Sequence, residues 1–233
     1  MPQLGAVTSL LAADALPALS VGVSYVTALT TTENPLREGT AWDGPPTGWT
    51  NVRVTGGNAI GTQVPDGDFD DSIARKTGTW PANQRIEGVA YRGAGTISEF
   101  TEIELHVRMN FPTSSQCSTY EMNINWDGGY CDFIRWDGPL GTDIGDFVFI
   151  RPSGSFGLDG PVQNGDQFAL QIVGSSLNGY VKRVGETLWT QINTLSVTDS
   201  TYATGNPGIG FYTSDGAVGR DLFGWQSLTM FGL

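Results

Sequence analysis

Residues 165–212 constrain the fold of this chain more than any other stretch of the sequence. Phe168, Leu170 and Ile172 occupy every second position between residues 168 and 173, which is the period-two pattern of a β-strand. Asn178-Gly179 is a dipeptide typical of tight hairpin turns, so we expect a return strand directly after it. Closely spaced strands joined by tight turns predict antiparallel β-structure in this half of the chain.

The same segment carries motifs of a known domain class. The strand GDQFALQIVG (residues 165–174) and the strand GNPGIGFY (residues 205–212) resemble the C-terminal half of concanavalin A-like, LamG-type jelly-roll domains. Near the other end, the ENPL run at residues 33–36 and the pair Trp49-Thr50 are similar to the entry of such domains, and TGTWPANQ at residues 77–84 to their next stretch. The resemblance covers roughly residues 25–233.

This resemblance implies an all-β fold, a two-sheet antiparallel β-sandwich (jelly roll) over residues 25–233. Residues 1–24 are then an extended N-terminal docking arm. The strand pattern along the rest of the chain agrees, because about a dozen short strands separated by turn residues are typical of a sandwich. Domains of this class occur in secreted bacterial proteins that bind or cleave glycans and in bacteriophage virion proteins.

Composition and charge limit the fold, the classes of partner and the cellular environment that are expected for this chain. The chain has 32 glycines and 12 prolines, and only 15% of its residues are charged, which favours many turns between short strands. Its formal net charge is -12, with 12 basic residues, so nucleic acid is not expected as a partner. Cys117 and Cys131 are predicted to lie far apart along one hairpin and to be free thiols, as in a reducing cytosol.

The N-terminal arm is apolar but matches neither a signal peptide nor a membrane span. No Lys or Arg precedes Arg37, and Asp14 and Pro17 interrupt the apolar run, which never reaches the ~20 residues of a transmembrane helix. We therefore expect an assembly arm that docks on another chain, with packing on its own sandwich as the alternative. The residues expected to make this contact are Met1, Leu4, Val7, Leu10, Leu11, Leu16 and Leu19.

Residues 101–109 show the cleanest alternation in the sequence and predict a half-buried strand. One face carries Ile103, Leu105, Val107 and Met109, and the other carries Glu102, Glu104, His106 and Arg108. Members of the resembled class that cleave glucans carry an E-x-D-x-x-E strand, and this run lacks the third carboxylate. The polar face is therefore predicted to be solvated, without a catalytic or metal-binding role.

An acidic loop offers a candidate metal site, built from Asp66, Asp68, Asp70 and Asp71. Calcium binds several oxygen ligands from a loop of this kind, although the spacing excludes an EF-hand. The alternative is a solvated turn. No other cofactor is predicted.

Two of the seven tryptophans are candidates for sugar stacking. Trp42 and Trp126 lie beside turn residues, so we expect their rings to be the most exposed, whereas most of the tryptophans lie in strand runs and should pack in the core.

Three functions follow from these features. The favoured one is a non-enzymatic structural virion protein, a bacteriophage capsid decoration or tail-associated protein that is assembled in the host cytoplasm. Its partners would be other virion proteins or copies of itself. The alternatives are a secreted or surface carbohydrate-binding module that binds a glycan, and a polysaccharide hydrolase or lyase.

Overall fold

The computed structural model describes residues 22–63, 71–98, 100–139, 147–151, 158–214 and 219–233. Fifteen strands lie within these ranges, together with one short 3-10 helix at Arg220–Leu222. The strands are β1 (Val23–Thr27), β2 (Trp42–Asp43), β3 (Thr50–Thr55), β4 (Asn58–Gly61), β5 (Ser72–Lys76), β6 (Gln84–Arg92), β7 (Thr101–Thr113), β8 (Gln116–Asn125), β9 (Cys131–Pro139), β10 (Phe147–Phe149), β11 (Gln167–Val173), β12 (Ser176–Lys182), β13 (Thr190–Thr198), β14 (Asn206–Thr213) and β15 (Phe223–Gly232).

The strands form two sheets that are joined through β3. The front sheet has the order β10-β9-β8-β7-β14-β5, and the back sheet has the order β4-β15-β6-β11-β12-β13. β3 pairs with β5 in a short parallel stretch and with β4 in a hairpin, while β1 adds to β15 and β2 to β5. All other named pairs are antiparallel, so the predicted all-β, two-sheet antiparallel sandwich is confirmed.

The main core lies between the two sheets, where the alternating apolar side chains meet. Ile103 and Leu105 of β7 point into it, as predicted, and so does Phe168 of β11. Trp225 of β15 is fully buried there, and its ring lies edge-on to Phe168 with ring centres 6.4 Å apart. Burial of large side chains from both sheets stabilises the sandwich.

Two local predictions were wrong. The β11–β12 turn is Gly174-Ser175, where Gly174 has a positive φ of 59°, and Asn178-Gly179 lies inside β12. This turn lets Leu177 reach the core. In β7, Arg108 has a positive φ of 53° within a bulge, so Met109 leaves the face that carries Ile103 and joins a second cluster. The bulge at Arg108 shifts the side-chain alternation of β7, whereas the positive φ of Gly174 suits the tight turn between β11 and β12.

The structure also answers the predictions about the β8–β9 turn, the two cysteines and the start of the sandwich. The turn at residues 127–129 joins β8 to β9 as predicted, and Cys117 and Cys131 are buried free thiols, opposite Gly138 and Ile124 respectively. β1 begins at Val23, two residues before the expected start of the sandwich. None of the described residues forms a helix that is long and apolar enough to cross a membrane.

Candidate functional site

The outer face of the front sheet, which points away from the main core, carries a row of polar side chains. On β8, Glu121 and Asn123 alternate with core residues and point to this outer face. The register places His106 of β7 opposite Glu121, and Glu104 opposite Asn123. Asn123 in turn lies opposite Asp132 of β9. Polar residues from three strands, remote from one another in sequence, therefore form one continuous surface.

This polar face is buried, and the prediction that it is solvated was wrong. Glu104 and His106 are 0% exposed, and only Glu102 at the end of the row is partly exposed. The reason is a second apolar cluster on the outer face, which covers part of the sheet. Its buried members are Trp49, Ile73, Met109, Cys117, Ile134 and Trp136. Part of the outer face of the front sheet is thus covered, as well as its inner face.

A cleft of about 520 Å³ opens beside this second cluster. Its polar lining includes Glu102, Asn123 and Asp132, and Tyr130 lies at the β8–β9 turn. Among the residues that the structure describes, the lining consists of Asp71, Phe100, Glu102, Glu121, Asn123, Tyr130, Asp132, Ile134, Trp136, Phe147, Phe149, Tyr212 and Ser214. The cleft therefore combines carboxylate, amide and hydroxyl groups with aromatic rings, the composition that is typical of small-molecule sites.

Aromatic rings lead from the buried cluster to the rim of the cleft. The ring centres of Trp49 and Trp136 are 4.7 Å apart, those of Trp136 and Phe147 are 5.1 Å apart, and those of Phe147 and Phe149 are 5.5 Å apart. Phe149 is 50% exposed, and Phe100 is 51% exposed. Phe147 packs against Phe149 and holds its ring in place, and Phe149 and Phe100 both present apolar surface to the solvent in the cleft.

Glu102 lines the cleft, and its surroundings there set the pKa of its carboxyl group. Burial raises its pKa to about 7, although hydrogen bonds from Tyr130 and Asn123 oppose this shift. The Tyr130 hydroxyl donates to Oε1, and Nδ2 of Asn123 donates to Oε2 at 3.3 Å. The neighbouring charge of Asp132 adds to the rise in pKa. Glu102 is therefore a fixed group that changes charge near neutral pH.

Glu104, His106 and Glu121 meet below the cleft, with one ligand-type atom of each residue within 4.8 Å of the others. Burial raises the pKa of Glu104 well above its usual value, and the negative charges of Asp71 and Glu121 add to the effect. Burial likewise raises the pKa of Glu121 to about 8 and lowers that of His106 to about 3. His106 is therefore neutral at pH 7.

The predicted sugar-stacking tryptophans are both in the core. Trp42 is 1% exposed and its Nε1 donates to Glu38 at 2.9 Å, whereas Trp126 is 0% exposed and packs on Phe223. The prediction that these rings are exposed was wrong, because turn residues beside a tryptophan do not determine where its side chain points. Neither ring has a face open to a ligand.

The other predicted site residues are mostly outside the described part of the chain. In the acidic loop, Asp66, Asp68 and Asp70 lie outside it, whereas Asp71 is buried at 4% exposure and lines the cleft. The arm residues Met1, Leu4, Val7, Leu10, Leu11, Leu16 and Leu19 also lie outside the described residues. The calcium loop and the docking arm remain predictions.

Sequence reasoning missed most of the cleft. Phe100, Phe147 and Phe149 lie near strand ends, where no periodic pattern marks them. A signal was present for Glu121 and Asn123, because they alternate with apolar residues just as Glu102 and Glu104 do. Pairing the two polar faces would have predicted a shared acidic surface.

No protein-family model matches the sequence, and no curated protein sequence matches it significantly. Solved structures do match the fold. The carbohydrate-binding module CBM66 from Bacillus subtilis is 13% identical with a TM-score of 0.51, and the match covers 84% of this chain and 94% of that one.

Two further structures show the same likeness. The exoplasmic/lumenal domain of VIP36, with Ca²⁺ and Man bound, is 11% identical with a TM-score of 0.58, over 90% of this chain and 92% of that one. A β-porphyranase from the human gut bacterium Bacteroides plebeius is 11% identical with a TM-score of 0.50, over 89% of each chain. Together with the two-sheet topology, these likenesses show that the chain has the concanavalin A-like jelly-roll fold.

Proposed function

We propose that this protein binds carbohydrate in the cleft on the outer face of the front sheet. The observation that carries the proposal is the pairing of the half-exposed rings of Phe100 and Phe149 with a polar floor. Aromatic rings pack against the apolar faces of sugar rings, and carboxylate and amide groups bind their hydroxyls. Solved structures with this fold include a carbohydrate-binding module and a domain with Man bound, which supports the same function.

The floor of the cleft suits a neutral ligand with many hydroxyl groups. Glu102, Asn123 and Asp132 offer several acceptors and an amide donor within one cleft. Asp132 forms an ion pair with Arg151, which holds that carboxylate in place. The protein carries a net charge of -12, which disfavours polyanionic glycans. We therefore expect neutral oligosaccharides to bind better than sulfated or uronic-acid polymers.

The experiment is a glycan array with the purified chain, followed by calorimetric titration of the neutral oligosaccharide that gives the strongest signal. Phe149→Ala and Phe100→Ala should each weaken binding by about tenfold, which corresponds to about 1.4 kcal/mol of lost ring contact. Leu188→Ala is the matched control, since Leu188 is 65% exposed and does not line the cleft. Absence of any array signal, or an equal loss of affinity in Leu188→Ala, would contradict the proposal.

Hydrolysis of the bound glycan is a second candidate function. The observation that favours it is Glu102, a cleft carboxyl group whose pKa of about 7 suits a general acid at neutral pH. Incubation of the array ligand with the wild-type chain should then release reducing ends, and Glu102→Gln should stop the release. Binding without product formation would leave carbohydrate binding as the function.

The virion role remains a separate prediction. It depends on the N-terminal arm, and imaging of the native assembly would test whether many copies of this chain coat a particle. Fractionation of the producing culture would test the alternative of a secreted protein. A secreted chain should be found in the medium as free protein, and not on particles.

A further inference from the structure

Three metal-ligand side chains converge on the adjacent strands β7 and β8. Their ligand atoms lie within 4.8 Å of one another, and Nε2 of His106 is 3.3 Å from Oε2 of Glu104. Two ligands of a tetrahedral ion, each about 2.0 Å from the metal, are about 3.3 Å apart. The spacing of Glu104 and His106 therefore matches that of two ligands of one small ion, and Glu121 lies close enough to be the third.

An unpartnered carboxylate oxygen of Glu104 is a second, independent observation that points to a cation. Its carboxylate is 0% exposed, and Oε1 has no hydrogen-bond partner among the residues that the structure describes. A buried carboxylate oxygen without a partner is costly, and two ionised carboxylates side by side are costlier still. A dication beside Glu104 and Glu121 would balance both charges and satisfy this oxygen.

The surrounding residues hold the three groups as the outer shell of a metal site does. Oγ1 of Thr119 lies 3.4 Å from Nδ1 of His106, so a proton on Nδ1 would leave the Nε2 lone pair available. Nε1 of Trp136 donates to Oε2 of Glu121 at 2.6 Å. Gly210 leaves the necessary room, because a Cβ at that position would lie 2.0 Å from Oε2 of Glu104 and 2.7 Å from Nε2 of His106.

We propose that Glu104, His106 and Glu121 form a binding site for a divalent transition-metal ion, with Zn²⁺ as the best fit. Zinc binds both imidazole nitrogen and carboxylate oxygen, and three protein ligands would leave its fourth position for water. Calcium fits poorly, because it requires six to eight oxygen ligands. Glu121 also lines the cleft, which provides a path for the ion to enter.

The site is tested by calorimetric titration of the tag-free chain with ZnCl₂ after dialysis against a chelator. The wild-type chain should bind one equivalent of Zn²⁺ and unfold at a higher temperature when Zn²⁺ is present. Glu104→Gln should weaken Zn²⁺ binding by about 100-fold or more. Glutamine matches the size and shape of the Glu104 side chain and carries no charge, so it should preserve the metal-free fold, which circular dichroism would verify.

Glu186→Gln is the matched control, because Glu186 is exposed and its side chain accepts a hydrogen bond from the Arg183 amide far from the cluster. It should bind Zn²⁺ as the wild-type chain does. Co²⁺ bound in place of Zn²⁺ should give the strong visible absorption of a tetrahedral site, and His106→Gln should abolish it. The proposal is overturned if Zn²⁺ does not bind stoichiometrically, if Glu104→Gln binds it equally well, or if Ca²⁺ stabilises the chain as much as Zn²⁺ does. No glycan takes part in this assay, so its outcome is independent of the carbohydrate proposal.

Discussion

At the scale of single residues, Arg108 illustrates how one side chain holds several loops to the front sheet. It is 3% exposed, and its guanidinium donates to the carbonyl oxygens of Ala82, Tyr202 and Gly174 at 2.8, 2.7 and 2.6 Å. Its positive φ places the side chain in this position. The sequence pattern assigned Arg108 to a solvated face, because alternation cannot register a bulge before the pairing of strands is known.

Replacement of Arg108 by leucine should lower the free energy of unfolding by about 3 kcal/mol or more. The change leaves three backbone carbonyls without their charged donor. Urea denaturation would measure the loss. Arg53→Leu serves as the comparison, because Arg53 pairs with Asp221, whose side chain is 60% exposed, and such a surface pair contributes at most about 1 kcal/mol. Equal losses in the two variants would show that the convergent hydrogen bonds do not stabilise the fold.

At the scale of elements, Asp199 ties the β13–β14 connection to two strands of the front sheet. Its carboxylate accepts hydrogen bonds from the Tyr120 hydroxyl and from Arg135, each at 2.6 Å, and from the Thr201 amide at 2.8 Å. Burial by itself raises its pKa, but the hydrogen bonds led by Tyr120 outweigh it and lower the pKa to about 2. The ionised form is therefore the one that the folded state stabilises.

This pKa predicts the pH range over which the connection loses stability. The unfolded chain has the higher pKa for Asp199, so it takes up the proton first as the pH falls. The contribution should be complete above about pH 5 and lost by about pH 1. Asp199→Asn should be about 2 kcal/mol less stable than the wild-type chain at pH 6, with the gap closing by about pH 1. Denaturant titrations at several pH values would measure it, and a gap that does not depend on pH would contradict the assignment.

At the scale of the whole molecule, Trp225 connects the back sheet to the floor of the candidate site. Its Nε1 crosses the core and donates to the backbone carbonyl of Glu104 at 3.3 Å. Gly88 makes room for the indole, because a Cβ at that position would lie 2.5 Å from its ring. The strand that carries Glu104 and His106 is thus positioned in part by packing from the opposite sheet.

Trp225→Phe should destabilise the sandwich by about 2–3 kcal/mol, through a cavity and the lost hydrogen bond between the sheets. Thermal unfolding followed by circular dichroism would measure this effect. Trp189→Phe is the control, since Trp189 is partly exposed and lies over Lys182 and Arg85, and its replacement should cost within about 1 kcal/mol. A smaller loss in Trp225→Phe than in Trp189→Phe would show that the link between the sheets is weak.

Most of the strands, and the residues that face the main core where no bulge intervenes, could be read from the local sequence pattern. Ile103 and Leu105 lie where alternation placed them, because the period of a strand is a local property of the backbone. The resemblance at residues 165–212 likewise indicated the fold, even though the exact turn shifted to Gly174-Ser175.

Whether the polar face is solvated or buried depends on long-range contacts that the local pattern does not contain. Whether Glu104 and His106 meet solvent or a second apolar layer depends on Trp49 and Trp136, which come from other parts of the chain. Their meeting with Glu121 depends on the register between β7 and β8. These contacts join residues that are far apart in the sequence. Because of them, the strand that was expected to be solvated lies at the floor of a cleft and carries a buried group of metal-ligand side chains.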